Sequence, residues 1–389
     1  MEATSMEVEV EHQPSRSIQT SSNRFALRNS IQTNFADDYV FQITSKDDWS
    51  AMAVSLSNNL VKLYSPSTGQ YLGECRGHTS TVNQISFADS SSPNLLVSCS
   101  SDATIRAWDT RIFQEVSLIN AGSSQEVFSF SVGGVNNNNL LAAGCKSQVL
   151  LWDWRNRKQV ACLEESHVED VTQVHFVPGT QNKLISASVD GLMCLFDTSG
   201  DINDDDHLCS VMNVGTSIGK IGFFGQDYGK LWCLSHIETL SVWNWKEENV
   251  EADFQEARSL ASKSWVQNQV DYFIDCHSSI EDDRLWLIGG SHSGTIAYFP
   301  VNSNERVIAA PEAMLEGGHS GIVRSILPAF SVPGRDSPNS GMFGWTGGED
   351  GRLCCWLSDE TSDVNRAWIS STLTLKPSKT RKKNRHQPY

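Results

Sequence analysis

Short runs of alternating apolar and polar residues recur along this chain at an almost constant interval. The clearest lies in GHTSTVNQISFADSSSPNLLVSCSSDATIRAWDT. Val82–Phe87 alternates with period two, and a second run begins at Leu95 after a Ser/Pro-rich break. A tight turn falls at Asp102, Thr104–Asp109 forms a third run, and a fourth follows at about residues 115–120. Period-two alternation bounded by turn residues predicts strands. An aromatic residue closes the third run of each repeat: Tyr64, Trp108, Trp152, Phe196, Trp243, Phe299 and Trp356. The first three intervals are 44 residues each and the next three are 47, 56 and 57. Asp follows the marker in three cases, at Asp109, Asp153 and Asp197. A period in the forties with four strands per repeat predicts four-stranded units that must stack on one another to bury their faces.

Periodicity, Trp-Asp endings and the Gly77-His78 turn together resemble the WD40-repeat family over roughly residues 24–375. The resemblance implies an all-β fold, a single seven-bladed β-propeller with disordered termini. More narrowly, the SHIETLSVWNW run, the order of strong and weak repeats and the basic C-terminus resemble the WD-repeat protein 89 type. In WD40 blades a buried His, Ser or Thr, Asp and Trp form a hydrogen-bonded tetrad. The second repeat carries all four as His78, Ser98, Asp102 and Trp108, and the seventh as His319, Thr346, Asp350 and Trp356. The fourth has His167, Ser186 and Asp190, but Phe196 stands where an indole donor is needed. Buried polar groups must be paired, so Asp102 is expected to accept from His78, and Ser98 to link the imidazole to the Trp108 indole.

The other four repeats depart from that pattern. At the Asp position they carry Asn58, Lys146, Ile237 and Ser293, which predicts blades held by apolar packing alone, as by Leu140, Leu141, Val149 and Leu151 in the third. The repeat phase leaves the seventh blade without its outer strand. Residues 24–28 or residues 367–373 could supply it, and the family habit of closing with the opposite chain end favours the first. The second would then pack nearby or add a strand. Residues 199–207 read as an acidic loop, residues 246–265 as an insertion with an amphipathic-helix pattern, and residues 332–340 as a turn-rich loop. The expected domains are an acidic disordered tail at 1–21, the propeller at 22–375 and a basic disordered tail at 376–389.

Charge changes this picture. The formal net charge is −16, yet the segment from residue 376 holds Lys376, Lys379, Arg381, Lys382, Lys383 and Arg385 and no acid. The rest has 24 basic against 46 acidic residues, or −22. An acidic disc with a basic tail repels nucleic acid over most of its surface and favours basic partners. The tail reads as a nuclear import signal, and any RNA contact through it would be weak and salt-sensitive. The ten cysteines are scattered without a C-x-x-C pair, which fits a reduced intracellular chain. Cys354 and Cys355 are adjacent in a strand, so only one is expected to face inward. No apolar stretch approaches a membrane span and no secretory pattern opens the chain.

Candidate chemistry is sparse. His78, His167 and His319 recur at one repeat position and could be read as convergent ligands, but separate blades and tetrad commitments argue for a structural role. The Asp204–Asp206 run could attract a divalent cation, yet it lacks the alternating oxygens and Gly of a calcium loop. No Gly-rich phosphate loop or nucleophile–base pair is evident, so no cofactor, metal or enzymatic activity is expected. Two successive Trp-Asp-x-Arg boxes end at Asp109, Arg111 and at Asp153, Arg155. They resemble the motif by which WD40 substrate receptors dock the damaged-DNA-binding protein 1 adaptor of a cullin–RING ubiquitin ligase. The alternative is that each Arg pairs only with its own Asp.

The sequence thus favours a non-enzymatic scaffold of nucleus and cytoplasm, a monomer within a larger complex. Its expected partners are basic proteins such as ribosomal proteins or histones. Ribosome biogenesis or growth regulation is the favoured setting. The alternatives are a ubiquitin-ligase substrate receptor and a histone reader.

Overall fold

A computed structural model describes residues 23–33, 38–88, 92–123, 125–134, 140–164, 166–180, 182–199, 207–266, 268–278, 283–329 and 342–357. The predicted acidic and turn-rich loops lie wholly or mostly outside these residues, as do the alternative closing segment at 367–373 and the basic tail.

The strands assemble into five separate four-stranded sheets and one nine-stranded sheet. The first sheet is representative. Val40–Ser45, Met52–Leu56, Val61–Tyr64 and Tyr71–Cys75 pair antiparallel in sequence order. The nine-stranded sheet is two such units joined through the N-terminal strand Asn23–Gln32. The innermost strands are Val40–Ser45, Val82–Phe87, Ser129–Gly133, Gln173–Phe176, Ile218–Phe224, Tyr272–Ser278 and Val323–Pro328. Each touches the next, and the last touches the first. The result is a closed ring of seven blades.

Burial explains why strands of this composition stack as they do. Seven apolar cores lie one in each gap between neighbouring blades, from the Leu63/Trp108 cluster between the first and second to the Val40/Trp345 cluster between the seventh and first. Each middle strand is covered on both faces, so its residues are apolar almost continuously rather than alternately. Met52–Leu56 is buried at every position. This corrects the expectation for Cys354 and Cys355. Both are buried, Cys354 against the sixth blade and Cys355 against the first. The strand has two inner faces.

The turn between the second and third strands repeats in backbone detail. Its left-handed residue is Asn59, Ala103, Ser147, Gly191, Glu238, Gly294 and Gly351 in the seven blades, with φ from 54° to 89°. Each directly follows the Asp position assigned from sequence, including the four divergent ones.

Ring closure comes from the N-terminal strand. Residues Ala26 to Gln32 run antiparallel to Arg352–Leu357, with an irregularity between Leu27 and Asn29. Asn23, Arg24 and Phe25 also pair in parallel with Ala313, Met314 and Leu315 on the outer edge of the sixth blade. One strand therefore completes the seventh blade and ties it to the sixth. Thr33 adds a hydroxyl hydrogen bond of 2.9 Å to the Gly351 carbonyl.

The segment expected to be one helical insertion is two elements. Asn249–Phe254 is the outer strand of the fifth blade, and Ala257–Ser264 is a helix leading into the sixth. Trp265, just beyond the helix, is buried edge-on against Phe299 at 5.8 Å.

Candidate functional site: two faces of loops

Antiparallel pairing places the loops entering each inner strand, and the turns between second and third strands, on one face of the ring. That face carries the tetrads. In the second blade His78 Nδ1 lies 2.9 Å from Asp102 Oδ2, and His78 Nε2 lies 2.7 Å from Ser98 Oγ. The Trp108 indole donates to Ser98 Oγ at 2.8 Å. An indole N–H can only donate, so Ser98 accepts from it and sends its own hydrogen to Nε2, leaving Nδ1–H to donate to Asp102. Asp102 also accepts from the Thr79 amide at 2.9 Å and the Thr104 hydroxyl at 2.6 Å. The carboxylate thus ties the entry loop to the turn. Burial holds His78 below the ordinary imidazole pKa despite that neighbour.

The seventh blade repeats the chain. His319 Nδ1 faces both Asp350 oxygens at 3.0 and 3.2 Å, its Nε2 is 2.7 Å from Thr346 Oγ1, and Trp356 donates to the same hydroxyl at 2.8 Å. Burial pushes His319 down, but the Asp350 carboxylate and the adjacent Cys354 sulfur outweigh it and raise the pKa to about 9. In the fourth blade His167 bridges Asp190 at 3.0 Å and Ser186 at 2.7 Å, and the Val168 amide donates to Asp190 at 3.1 Å. Phe196 packs there without a donor, and burial keeps His167 below its ordinary pKa.

The divergent blades do not rely on apolar packing alone. In the fifth, Trp243 donates to Ser241 Oγ at 2.8 Å, and Ser235 and Thr239 hydroxyls meet at 2.6 Å. Asn58 donates to Asp38 at 2.7 Å in the first, and Ser291 and Ser293 meet at 2.8 Å in the sixth. Lys146 pairs with Glu126 at 2.9 Å in the third. Short local contacts replace the lost network. Ser241 carries no repeat-position signal, because it sits two residues before the indole rather than ten.

The opposite face carries the Trp-Asp-x-Arg boxes, on equivalent turns of the second and third blades. Arg111 grips Asp109 through two hydrogen bonds, Nε to Oδ1 at 3.0 Å and Nη2 to Oδ2 at 2.6 Å, and its amide adds a third at 2.9 Å. The Arg111 side chain and amide hold the Asp109 pKa down, at about 2. Arg155 is held more loosely. Its Nε is 3.6 Å from Asp153 Oδ1, while Asn156 takes the other carboxylate oxygen at 2.9 Å. The two arginine side chains remain 68% and 69% exposed.

Among the described residues no three His, Cys, Asp or Glu side chains are grouped to hold a metal ion, and no helix is long and apolar enough to cross a membrane. The ten cysteines are unbridged and eight are buried.

The family described as WD domain, G-beta repeat matches residues 69–109, the span that ends at the second-blade Trp-Asp. The chain is 63% identical to the WD repeat-containing protein GTS1 of Arabidopsis thaliana, with the full length of both chains covered. It is 34% identical to the WD repeat-containing protein 89 homolog of Dictyostelium discoideum over 76% of this chain and 79% of that one. A rice guanine nucleotide-binding protein subunit beta is 28% identical over 39% of this chain and 44% of its own length. Seven stacked four-stranded blades, full tetrads in two of them, a third lacking only its indole, and identity along the whole length lead to one conclusion: the chain belongs to the WD-repeat family of protein-interaction scaffolds.

Proposed function

We propose that the chain gathers basic proteins, ribosomal proteins or histones among them, as an acidic scaffold without catalytic activity of its own. The observation that carries this reading is charge: 46 acidic against 24 basic residues before residue 376. A negative surface raises the encounter rate with basic partners and disfavours acidic ones. The proposed setting is ribosome biogenesis or growth regulation in nucleus and cytoplasm, with the basic segment at 376–389 acting in import. Affinity capture of the full chain at low and high salt tests the reading. Enrichment of ribosomal proteins or ribosomal precursors that fades with salt supports it. Recovery with nucleosomes alone would redirect it to a histone reader, and a catch without basic proteins would refute it. Unchanged nuclear signal after deletion of residues 376–389 would remove the import role.

A second reading rests on the exposed Arg111 and Arg155, which project from equivalent turns of adjacent blades. It makes the chain a substrate receptor docking the damaged-DNA-binding protein 1 adaptor of a cullin–RING ligase. Recovery of that adaptor, lost in an Arg111→Ala/Arg155→Ala double variant, would favour this reading. Equal recovery with the double variant would dismiss the boxes as its docking site.

A further inference from the structure

On the tetrad face of the fourth and fifth blades, Val168 and Ile237 stand in solvent. Val168 is 82% exposed at the loop into the fourth blade, and Ile237 is 63% exposed at a turn of the fifth. Val168 cannot fold inward. His167 beside it is buried against Asp190 and Ser186, and the Val168 amide is pinned to the same carboxylate. The fourth-blade network thus holds the valine outward.

Backbone hydrogen bonds join the segments between the two tips, beginning with the Val189 amide, which donates to the Asp170 carbonyl at 3.0 Å. The Val214 amide donates to the Gly191 carbonyl at 2.9 Å, and the His236 amide to the Ser217 carbonyl at 2.9 Å, so the turn and loops from Asp190 to Ile237 are stitched side by side. Gly191, Gly215, Thr216 and Ser217 lie along these segments. A Cβ at Gly191 (φ +84°) would lie 3.0 Å from the Thr216 amide nitrogen, so its surface is backbone against backbone. Gly215 is also left-handed, and a Cβ there would meet only Asn213 Oδ1, at 4.0 Å.

Charge selects what fits. Glu164 and Glu169 are exposed and Asp170 half-buried on the loop that bears Val168. Among the described residues no Lys, Arg or His forms an ion pair with Glu164 or Glu169, while Lys146, paired with Glu126, also attracts the neighbouring Asp170. At the other end, Glu238 is already committed to the Phe273 amide at 2.6 Å. Lysine and arginine can lay aliphatic stems over an apolar tip while their heads meet carboxylates.

We propose that this lane, from Val168 across Gly191 and Gly215 to Ile237, docks an extended segment of a partner in which lysine or arginine alternates with aliphatic residues. The proposal rests on the reading of the chain as a scaffold for basic proteins and gives that reading a surface.

The test is fluorescence anisotropy with the full chain and two labelled synthetic peptides of equal length and charge, one alternating lysine with leucine and one alternating lysine with serine. The wild-type chain should bind the lysine–leucine peptide more tightly. Val168→Ser/Ile237→Ser should weaken that peptide about tenfold and barely change the other. Glu164→Lys/Glu169→Lys should weaken both peptides, and Glu247→Lys/Glu248→Lys on the opposite face neither. All these side chains lie on the surface, and unchanged melting verifies that each variant is folded. Wild-type affinity in the Val168/Ile237 variant, or equal losses from charge reversal on either face, would overturn the lane while leaving the basic-partner reading standing. Failure of the wild-type chain to bind either peptide would sink that reading as well.

Discussion

The second and fifth blades are built alike and tied differently. Both have four antiparallel strands and middle strands buried from both sides. In the second, one carboxylate joins the entry loop, the imidazole and the turn. In the fifth, buried Cys233 stands where Ser98 would be and exposed Ile237 where Asp102 would be. Its indole turns to a serine on its own strand, and its entry loop is held instead by Ser217 to His236 at 2.6 Å. The sheets therefore survive loss of the tetrad because apolar interfaces build the ring. The tetrad fixes loops on one face. Where it is missing, as at Ile237, the turn tolerates an exposed apolar side chain.

The largest expected effect breaks this comparison most sharply. Asp102→Ala leaves His78, Thr104 and the Thr79 amide without their acceptor, and should cost about 2–4 kcal/mol of unfolding free energy. Ile237→Ala, at the equivalent place in the fifth blade, should stay within about 0.5 kcal/mol. Urea titration of both variants checks the pair, and equal losses would contradict the assignment of Asp102 to a supporting network.

The histidines provide the next contrast, because they respond to pH in opposite directions. Burial depresses His78 and His167, so the unfolded chain takes up the proton first. Their contribution is complete above about pH 6.5 and is lost as pH falls below it. His319 is raised to about 9, so its contribution is complete below about pH 6.5 and is lost as pH rises through 9. Denaturation at a series of pH values should show His319→Gln flattening the alkaline side, by about 1 kcal/mol or more, and His167→Gln flattening the acid side. A His319→Gln profile parallel to wild type above pH 7 would count against the Asp350 pairing.

The turns offer two smaller tests. Gly191 and Ala103 share a left-handed position, at φ 84° and 66°. Gly191→Ala should cost about 1–2 kcal/mol, from backbone strain and the close Thr216 amide. Ala103→Gly relieves strain but loosens the unfolded chain, and should gain no more than about 0.5 kcal/mol. Melting shifts of the same sign in both would show that the two turns are not equivalent.

The ring was legible in the chain because period-two alternation and the aromatic markers are local signals. The tetrad positions of the second and seventh blades, and the His, Ser and Asp of the fourth, are signals of the same local kind, since they recur at repeat positions. Four features escaped. Two-sided burial of Cys354 and Cys355 follows from neighbouring blades, which alternation within one strand does not report. The outer strand Asn249–Phe254 buries only Ala252 and Phe254, and merges by pattern with the helix after it. The parallel pairing of Asn23–Phe25 with Ala313–Leu315 joins residues at opposite ends of the propeller and leaves no spacing to read. Ser241 and Thr104 are polar residues in strands, and only the packed structure shows what they meet.

Closure by the N-terminal strand is the feature on which the rigid ring, and every surface argued from it, depends. Ser30 pairs directly with Cys354 across that junction, with Oγ and Sγ 3.6 Å apart. A Ser30→Cys variant should therefore form an intramolecular disulfide with Cys354 under mild oxidation, seen by peptide mass spectrometry in the monomer and abolished by Cys354→Ser. Absence of that bond, or its formation only between two copies, would contradict a ring closed by its own first strand.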